Sequence, residues 1–142
     1  MPKMFIHAPA GTFDPAACQR IAAALTDLGL ACEQLPASPF VRSTVWTYFN
    51  HYSTDAVFMG GEPATCRIVT LQIYVIAGGL DMTAKSRFIQ EATAILGKDT
   101  RTGNLAPVYI LINEVAESNW GIFGANADLV ALRASPHDAP AI

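Results

Sequence analysis

The pentapeptide Ala10-Gly11-Thr12-Phe13-Asp14 returns 67 residues later as Ala77-Gly78-Gly79-Leu80-Asp81. At the same offset Ala17 falls on Ala84, Arg20 on Arg87 and Thr26 on Thr93, and apolar character matches at Phe13/Leu80, Ile21/Phe88 and Leu28/Ile95. Self-similarity of this kind marks one supersecondary unit used twice. Each copy opens with a run rich in Ile, Val, Phe or Tyr, from Met4 to Pro9 and from Val69 to Ala77, which reads as a half-buried strand. The Ala-Gly pair breaks the strand. Asp14 and Asp81 are then placed as helix N-caps, and Pro15 suits a first helical turn. Ile21, Ala24, Leu25 and Leu28 recur at helical spacing, as do Phe88, Ala92 and Ile95. Gly29 and Gly97 are expected to end the two helices. Second strands are predicted at Val41 to Phe49 and Val108 to Val115, the offset placing Phe40-Val41 on Pro107-Val108. Short hairpins are predicted after them, at Phe58-Met59-Gly60-Gly61 and Trp120-Gly121-Ile122-Phe123-Gly124.

Two β-α-β units side by side predict an α+β fold: a four-stranded sheet with two helices on one face, each crossover right-handed between parallel strands. The face without helices also carries apolar side chains, and a second subunit is its simplest cover. The expected organisation is a single domain over residues 1–134, built of repeats at about 2–62 and 67–124. Residues 135–142, with two prolines and little to pack, are expected to form a loose tail.

Composition narrows the function. The 142 residues carry 12 acidic and 9 basic side chains, a net charge of −3 with no basic run, which argues against a nucleic-acid partner. Charged residues make up 15%, against about 25% in an average domain, so burial against copies of the same chain is expected. No stretch approaches the roughly 18 unbroken apolar residues of a membrane span; Leu71 to Leu80 is interrupted by Gln72, Gly78 and Gly79. Met1-Pro2-Lys3-Met4 lacks the apolar core of a signal peptide. Cys18, Cys32 and Cys66 are odd in number and form no CxxC, which predicts reduced thiols in a cytoplasm. No metal-ligand spacing is present, and Gly60-Gly61-Glu62 lacks the Lys-Ser/Thr of a phosphate loop. No metal or cofactor is expected.

His7, His51 and His137 form no recognisable triad, and His7, within a strand, reads as a structural histidine. The residue with chemical promise is Pro2. With Met1 removed, it presents a secondary amine at the start of a buried strand. A free α-amine has a pKa near 8, and burial with nearby cations lowers it further. The result is a base suited to proton abstraction beside a carbonyl. With Met1 retained, the same nitrogen is a tertiary amide and has no basic lone pair.

Pro2, Phe5-Ile6-His7, the Ala-Gly turn and the helix after it resemble the amino-terminal segment of the tautomerase superfamily. Asn113-Glu114-Val115 and Asn119-Trp120-Gly121-Ile122 resemble its second strand and hairpin. The internal repeat is similar to the fused, double-length branch that includes cis-3-chloroacrylic acid dehalogenase and malonate semialdehyde decarboxylase. The resemblance covers roughly residues 2 to 124. It implies a tandem β-α-β tautomerase fold, a homotrimer, and a catalytic Pro2 acting as general base or acid on a small 2-oxo acid or its enol. It also implies arginines that hold the substrate carboxylate. By the resemblance Arg42 matches an arginine early in the second strand, Tyr109 stands at the corresponding place in the second half, and Trp120 matches the hairpin aromatic. These three are the expected substrate-binding residues.

The sequence departs from the family at several points. Thr12 and Gly79 replace an arginine after the first-strand turn, and residues 76–80 lack the arginine pair of the dehalogenase branch. Gly29 and Ile122 stand where that branch has its histidine and its water-activating glutamate, which disfavours hydrolytic dehalogenation. Two alternatives stay open: a non-catalytic trimer of the same fold that binds a partner or serves a structural role, and a ferredoxin-like dimer that binds a small apolar ligand.

Overall fold

A computed structural model describes residues 1–142. The first half consists of β1 (Lys3–Pro9), α1 (Pro15–Glu33), a short α2 (Pro39–Ser43), β2 (Trp46–Tyr52) and a hairpin of β3 (Phe58–Met59) and β4 (Glu62–Pro63). The second half consists of β5 (Val69–Ile76), α3 (Met82–Thr100), β6 (Val108–Val115), a hairpin of β7 (Gly121–Ile122) and β8 (Ala125–Asn126), and α4 (Leu129–Arg133). The four long strands form one sheet in the order β2-β1-β5-β6. β1 runs parallel to β2 and β5 parallel to β6, while the two halves meet antiparallel at β1 and β5. Each β-α-β unit thus keeps its parallel strands adjacent. A ferredoxin-like sheet is a split β-α-β, so that alternative is removed.

Alternation in the central strands assigns the two faces. Met4, Ile6 and Ala8 of β1 and Val69, Leu71, Ile73 and Val75 of β5 are buried, and they pack with Ile21, Leu25 and Leu28 of α1 and Phe88, Ala92 and Leu96 of α3. Both long helices therefore cover one face. Lys3, Phe5 and Tyr74 point the other way with Trp46, Tyr48, Tyr109 and Leu111, the last four all more than 40% exposed. The helix-free face is apolar and aromatic, with Phe5 stacked on Tyr48 and edge-on to Tyr74.

The helices start where the caps predict. Asp14 and Asp81 each accept a hydrogen bond at 2.7 Å, from the backbone N–H of Ala17 and Ala84. They do not end at the predicted glycines. α1 runs through Gly29 to Glu33 and closes on Gln34 in left-handed backbone (φ 57), and α3 runs through Gly97 to Thr100. Both glycines serve close packing instead. A β-carbon on Gly97 would lie 3.0 Å from the Ala106 side chain, and one on Gly29 would lie 2.8 Å from Pro2 Cγ.

The first predicted second strand also needs correction. Residues 39–43 are helical because Ser38 caps the Val41 N–H and Pro39 occupies the first turn, so β2 begins only at Trp46. The repeat offset is therefore not constant. It is 67 from β1 to β5 and across the helices, but 63 between β2 and β6, as the pairs Pro9↔Tyr52 and Ile76↔Val115 show. The first half carries a four-residue insertion that forms α2, and the structural counterpart of Tyr109 is Trp46 rather than Arg42.

Both hairpins form where predicted, the second turning at Phe123 (φ 51) and Gly124 (φ 84). Past them, α4 is an element the repeat does not announce. The tail beyond it lies against α2, with Phe40 N–H donating to the Ala139 carbonyl and Ile142 N–H to Ser43 Oγ.

Because each cap satisfies an otherwise orphaned N–H, Asp14→Ala and Asp81→Ala should each cost about 1 kcal/mol of unfolding free energy, measured by urea denaturation. Substitution to Asn should cost little.

Candidate functional site

A second, smaller cluster of buried side chains stands apart from the main core: Met1, Leu30, Leu35, Val41, Ile76, Trp120, Ala127 and Leu129. It draws on α1, α2, β5, the second hairpin and α4, and its centre is the start of the chain. Met1 is fully buried. Its ammonium donates to Glu33 Oε2 in the last turn of α1, and the Glu33 side chain is also wholly buried. Glu33 Oε1 has no hydrogen-bond partner. Arg133, from α4, closes the arrangement: its Nε donates to the Glu33 carbonyl at 3.0 Å and its Nη2 to the Gly79 carbonyl at 3.2 Å. Pro2 follows directly and rests on Gly29 of α1.

Electrostatics here are governed by burial. Loss of water pushes the Glu33 carboxyl up from its ordinary 4.5, with the terminal ammonium and Arg133 acting in the opposite sense. Loss of water pushes the terminal amine down from 8.0, opposed by Glu33 and reinforced by Arg133 and Lys3. The neighbouring Lys3 is brought down to about 8 by burial, and its Nζ stands 3.1 Å from the centre of the Trp46 ring.

An open cavity of about 410 Å³ adjoins this cluster on the helix-free face. Lys3, Phe5, Tyr74, Asn119 and Trp120 line it. Trp120 and Tyr74 touch both the cavity and the cluster around Met1, so they form the wall between the two.

Of the residues singled out by sequence, Trp120 belongs to this cluster, and Pro2 follows its Met1 in the chain and lies against Gly29. Arg42 lies on α2 rather than on a strand, paired with Asp27 at the surface, and the cations that act on the amino terminus are Arg133 and Lys3. Tyr109 is 76% exposed and sits opposite Thr70, while Lys3 pairs with Tyr74 opposite Asn113. Four residues of strand separate the two positions, about 13 Å, and Tyr109 lines a different cavity with Phe58 and Met59. His7 is at that far end too, where Nδ1 shares a hydrogen bond of 2.7 Å with the Tyr52 hydroxyl.

Glu33 and Arg133 were missed. Glu33 had a legible signal: it follows Leu25 by eight residues and Gly29 by four, so it continues the apolar face of α1 as a carboxylate. Arg133 had none, since α4 lies outside the repeat.

Two parallel β-α-β units that meet antiparallel in one four-stranded sheet are the fold of the tautomerase class. The sequence family described as "Putative oxalocrotonate tautomerase enzyme" matches residues 1–128. The chain belongs to this family, in a double-length form. Among solved structures, similar folds include a fused 4-OT wild-type asymmetric trimer (TM-score 0.74, 14% identity, 87% of this chain and 94% of that one). A member of the cis-3-chloroacrylic acid dehalogenase family is also similar (TM-score 0.73, 22% identity, 89% of this chain and 83% of that one). So is a macrophage migration inhibitory factor-like protein from Entamoeba histolytica (TM-score 0.68, 16% identity, 89% of this chain and 98% of that one). No curated protein matches the chain in sequence. No helix is long and apolar enough to cross a membrane.

The shifted carboxyl has a consequence for the Met1-bearing protein. Above pH 4.5 the unfolded chain releases the Glu33 proton while the folded one keeps it, so stability falls as pH rises through that window. The amine works in the other direction: just below pH 8.0 the unfolded chain holds a proton the folded one has lost, so stability recovers as pH approaches 8.0. Urea midpoints of the parent should therefore fall from about pH 4.5 upward relative to Glu33→Gln. Parallel profiles between pH 4 and 7 would show an unshifted carboxyl.

Proposed function

We propose that the chain is an enzyme that moves protons on a small 2-oxo acid or its enol, with Pro2, freed by removal of Met1, as the general base and acid. The observation that carries this reading is the burial of the chain start. Taking Met1 out of its cluster leaves a hollow walled by Trp120, Leu30, Ile76 and Leu129, adjoining the open cavity beside Lys3. The Pro2 amine would stand at the edge of that hollow. At the chain start burial lowers the pKa of an amine, Arg133 and Lys3 add to that and Glu33 opposes it, the net lowering suiting a base working near neutral pH. Family membership supports the reaction class.

The substrate carboxylate needs a cation. Lys3 already lines the cavity. Arg42 pairs with Asp27 and does not line this cavity, so we assign it to the site of a neighbouring subunit if it binds substrate at all. Such a neighbour is part of the reading: the exposed aromatic face of the sheet asks for a cover, and we assign it to a homotrimer. The three unpaired thiols fit a reducing, cytoplasmic setting.

Intact-mass measurement of the cellular protein should give a chain that starts at Pro2. Pro2→Ala should then lower enol–keto turnover of phenylpyruvate by about 10²-fold or more. Lys3→Met should raise KM roughly tenfold, the loss expected for a charged hydrogen bond. Arg42→Ala at unchanged assembly decides between the two cations, since a raised KM assigns the carboxylate to Arg42 and an unchanged one leaves it to Lys3. Full activity with Met1 still attached would sink the proposal.

Light scattering at micromolar concentration should give about three times the chain mass of 15.2 kDa. A monomer would leave the apolar sheet face unexplained and contradict the assembly.

A further inference from the structure

The mechanism above uses one buried titratable group and leaves another idle. We propose that Glu33 is the second proton-transfer residue of the same site, handling the proton on the substrate oxygen while Pro2 handles the proton on carbon. This rests on the Pro2 reading. Met1 supplies the argument. In the structure its ammonium, a hydrogen-bond donor, occupies Glu33 Oε2, and Oε1 has no partner. Removing Met1 takes away the terminal ammonium that Oε2 accepts from. A wholly buried carboxyl left with little beyond the Ile76 backbone is costly, so the vacated place selects a ligand that brings a donor to it. The enol hydroxyl of a 2-oxo acid is such a donor. Arg133 does not compete for the carboxyl oxygens, because its two hydrogen bonds go to the backbone carbonyls of Glu33 and Gly79.

The second half of the chain serves as an internal control. At the helix offset of 67, Gly29 corresponds to Leu96 and Glu33 to Thr100. Leu96 is an ordinary core residue, and the Thr100 hydroxyl donates back to the Leu96 carbonyl at 3.1 Å. The same helix turn without a chain terminus to face carries neither the glycine nor the carboxylate.

The step balances. In ketonisation, an N–H bond of the Pro2 ammonium breaks as the enol π pair takes that proton to form C–H. The enol O–H breaks, its electron pair completes C=O, and its proton goes to a Glu33 oxygen. After release, the proton passes from the Glu33 carboxyl to the Pro2 amine and restores the starting state. The groups that face Glu33 are the amine at the chain start, just ahead of β1, Arg133 of α4, the backbone of Ile76 at the end of β5 and, across the turn after it, the backbone of Gly79.

The test compares Glu33→Gln, Glu33→Asp and Pro2→Ala in protein that starts at Pro2, with phenylpyruvate as substrate. Glu33→Gln should lower kcat by about 10²-fold with little change in KM and remove one limb of the kcat pH profile. Glu33→Asp should restore that limb. A folded Glu33→Gln with parental kcat and both limbs, beside an inactive Pro2→Ala, overturns the role of Glu33 and leaves the Pro2 reading standing. Parental activity in Pro2→Ala overturns both. Should Glu33→Gln not fold, the unaltered protein decides by carbon-13 NMR of the Glu33 carboxyl. Its resonance should move when phenylpyruvate is added, and an unmoved resonance overturns the assignment.

Discussion

The contact between the chain's amino terminus and Glu33 is the constraint around which this half of the molecule is arranged. Two opposite charges are withdrawn from water there, which costs several kcal/mol per ion before their attraction is counted. A pair of well-packed apolar side chains would hold the same place at least as firmly. The carboxylate is therefore poorly explained by stability. The surrounding residues are nevertheless fitted to it. Gly29 lets Pro2 approach α1, Arg133 ties the end of α1 to the turn after β5, and Trp120 closes the outer side. α4, which supplies Arg133, is itself anchored by Glu117 accepting from the Leu129 N–H and by Asp128 accepting from the Ala131 N–H.

Duplication explains why only one such place exists in the chain. The two halves share strand, cap and helix length, and α1 and α3 are both 19 residues long. What they cannot share is a terminus. The position equivalent to Pro2 in the second half is Val69, held in the middle of a continuous chain and paired through its backbone to Pro107. There the unit has reverted to scaffold, with Leu96 in place of Gly29. The symmetric sheet is thus a platform that brings one chain end, one helix end and one hairpin to a common point.

The platform was readable because its signals are local and periodic. Asp14 and Asp81 precede helical stripes, the strands alternate, and the glycine-bearing segments after them turn. Two features broke the reading. The constant offset of 67 carried Arg42 onto Tyr109, because nothing in the apolar pattern of 39–43 separates a one-turn helix from a strand start; Ser38 and Pro39 held that information in capping chemistry. Gly29 looked like a helix stop because glycine at a helix end is common, whereas its reason here is a contact with a residue 27 positions earlier in sequence. Pro2 and Trp120 were singled out by the resemblance and by position. Arg133 was not, since its role depends on where α4 docks.

The charges also set the direction in which a substrate can sit. A carboxyl at the base of the hollow repels a second carboxylate whenever it is ionised, and in a water-poor site that repulsion is weakly screened. On the proposed reading a 2-oxo acid would enter with its oxygen-bearing carbon toward Glu33 and Pro2 and keep its carboxylate outward, where Lys3 lies on the cavity wall. Lys3, brought to about 8, is still mostly charged at neutral pH and loses that charge above it. Affinity for an anion should accordingly weaken as pH passes 8. On this arrangement the site does not need the two arginines missing from the turns at Thr12 and Gly79. One cation at the mouth would hold the anion and one buried carboxyl at the base would reject it, which together would orient a small substrate with few direct contacts.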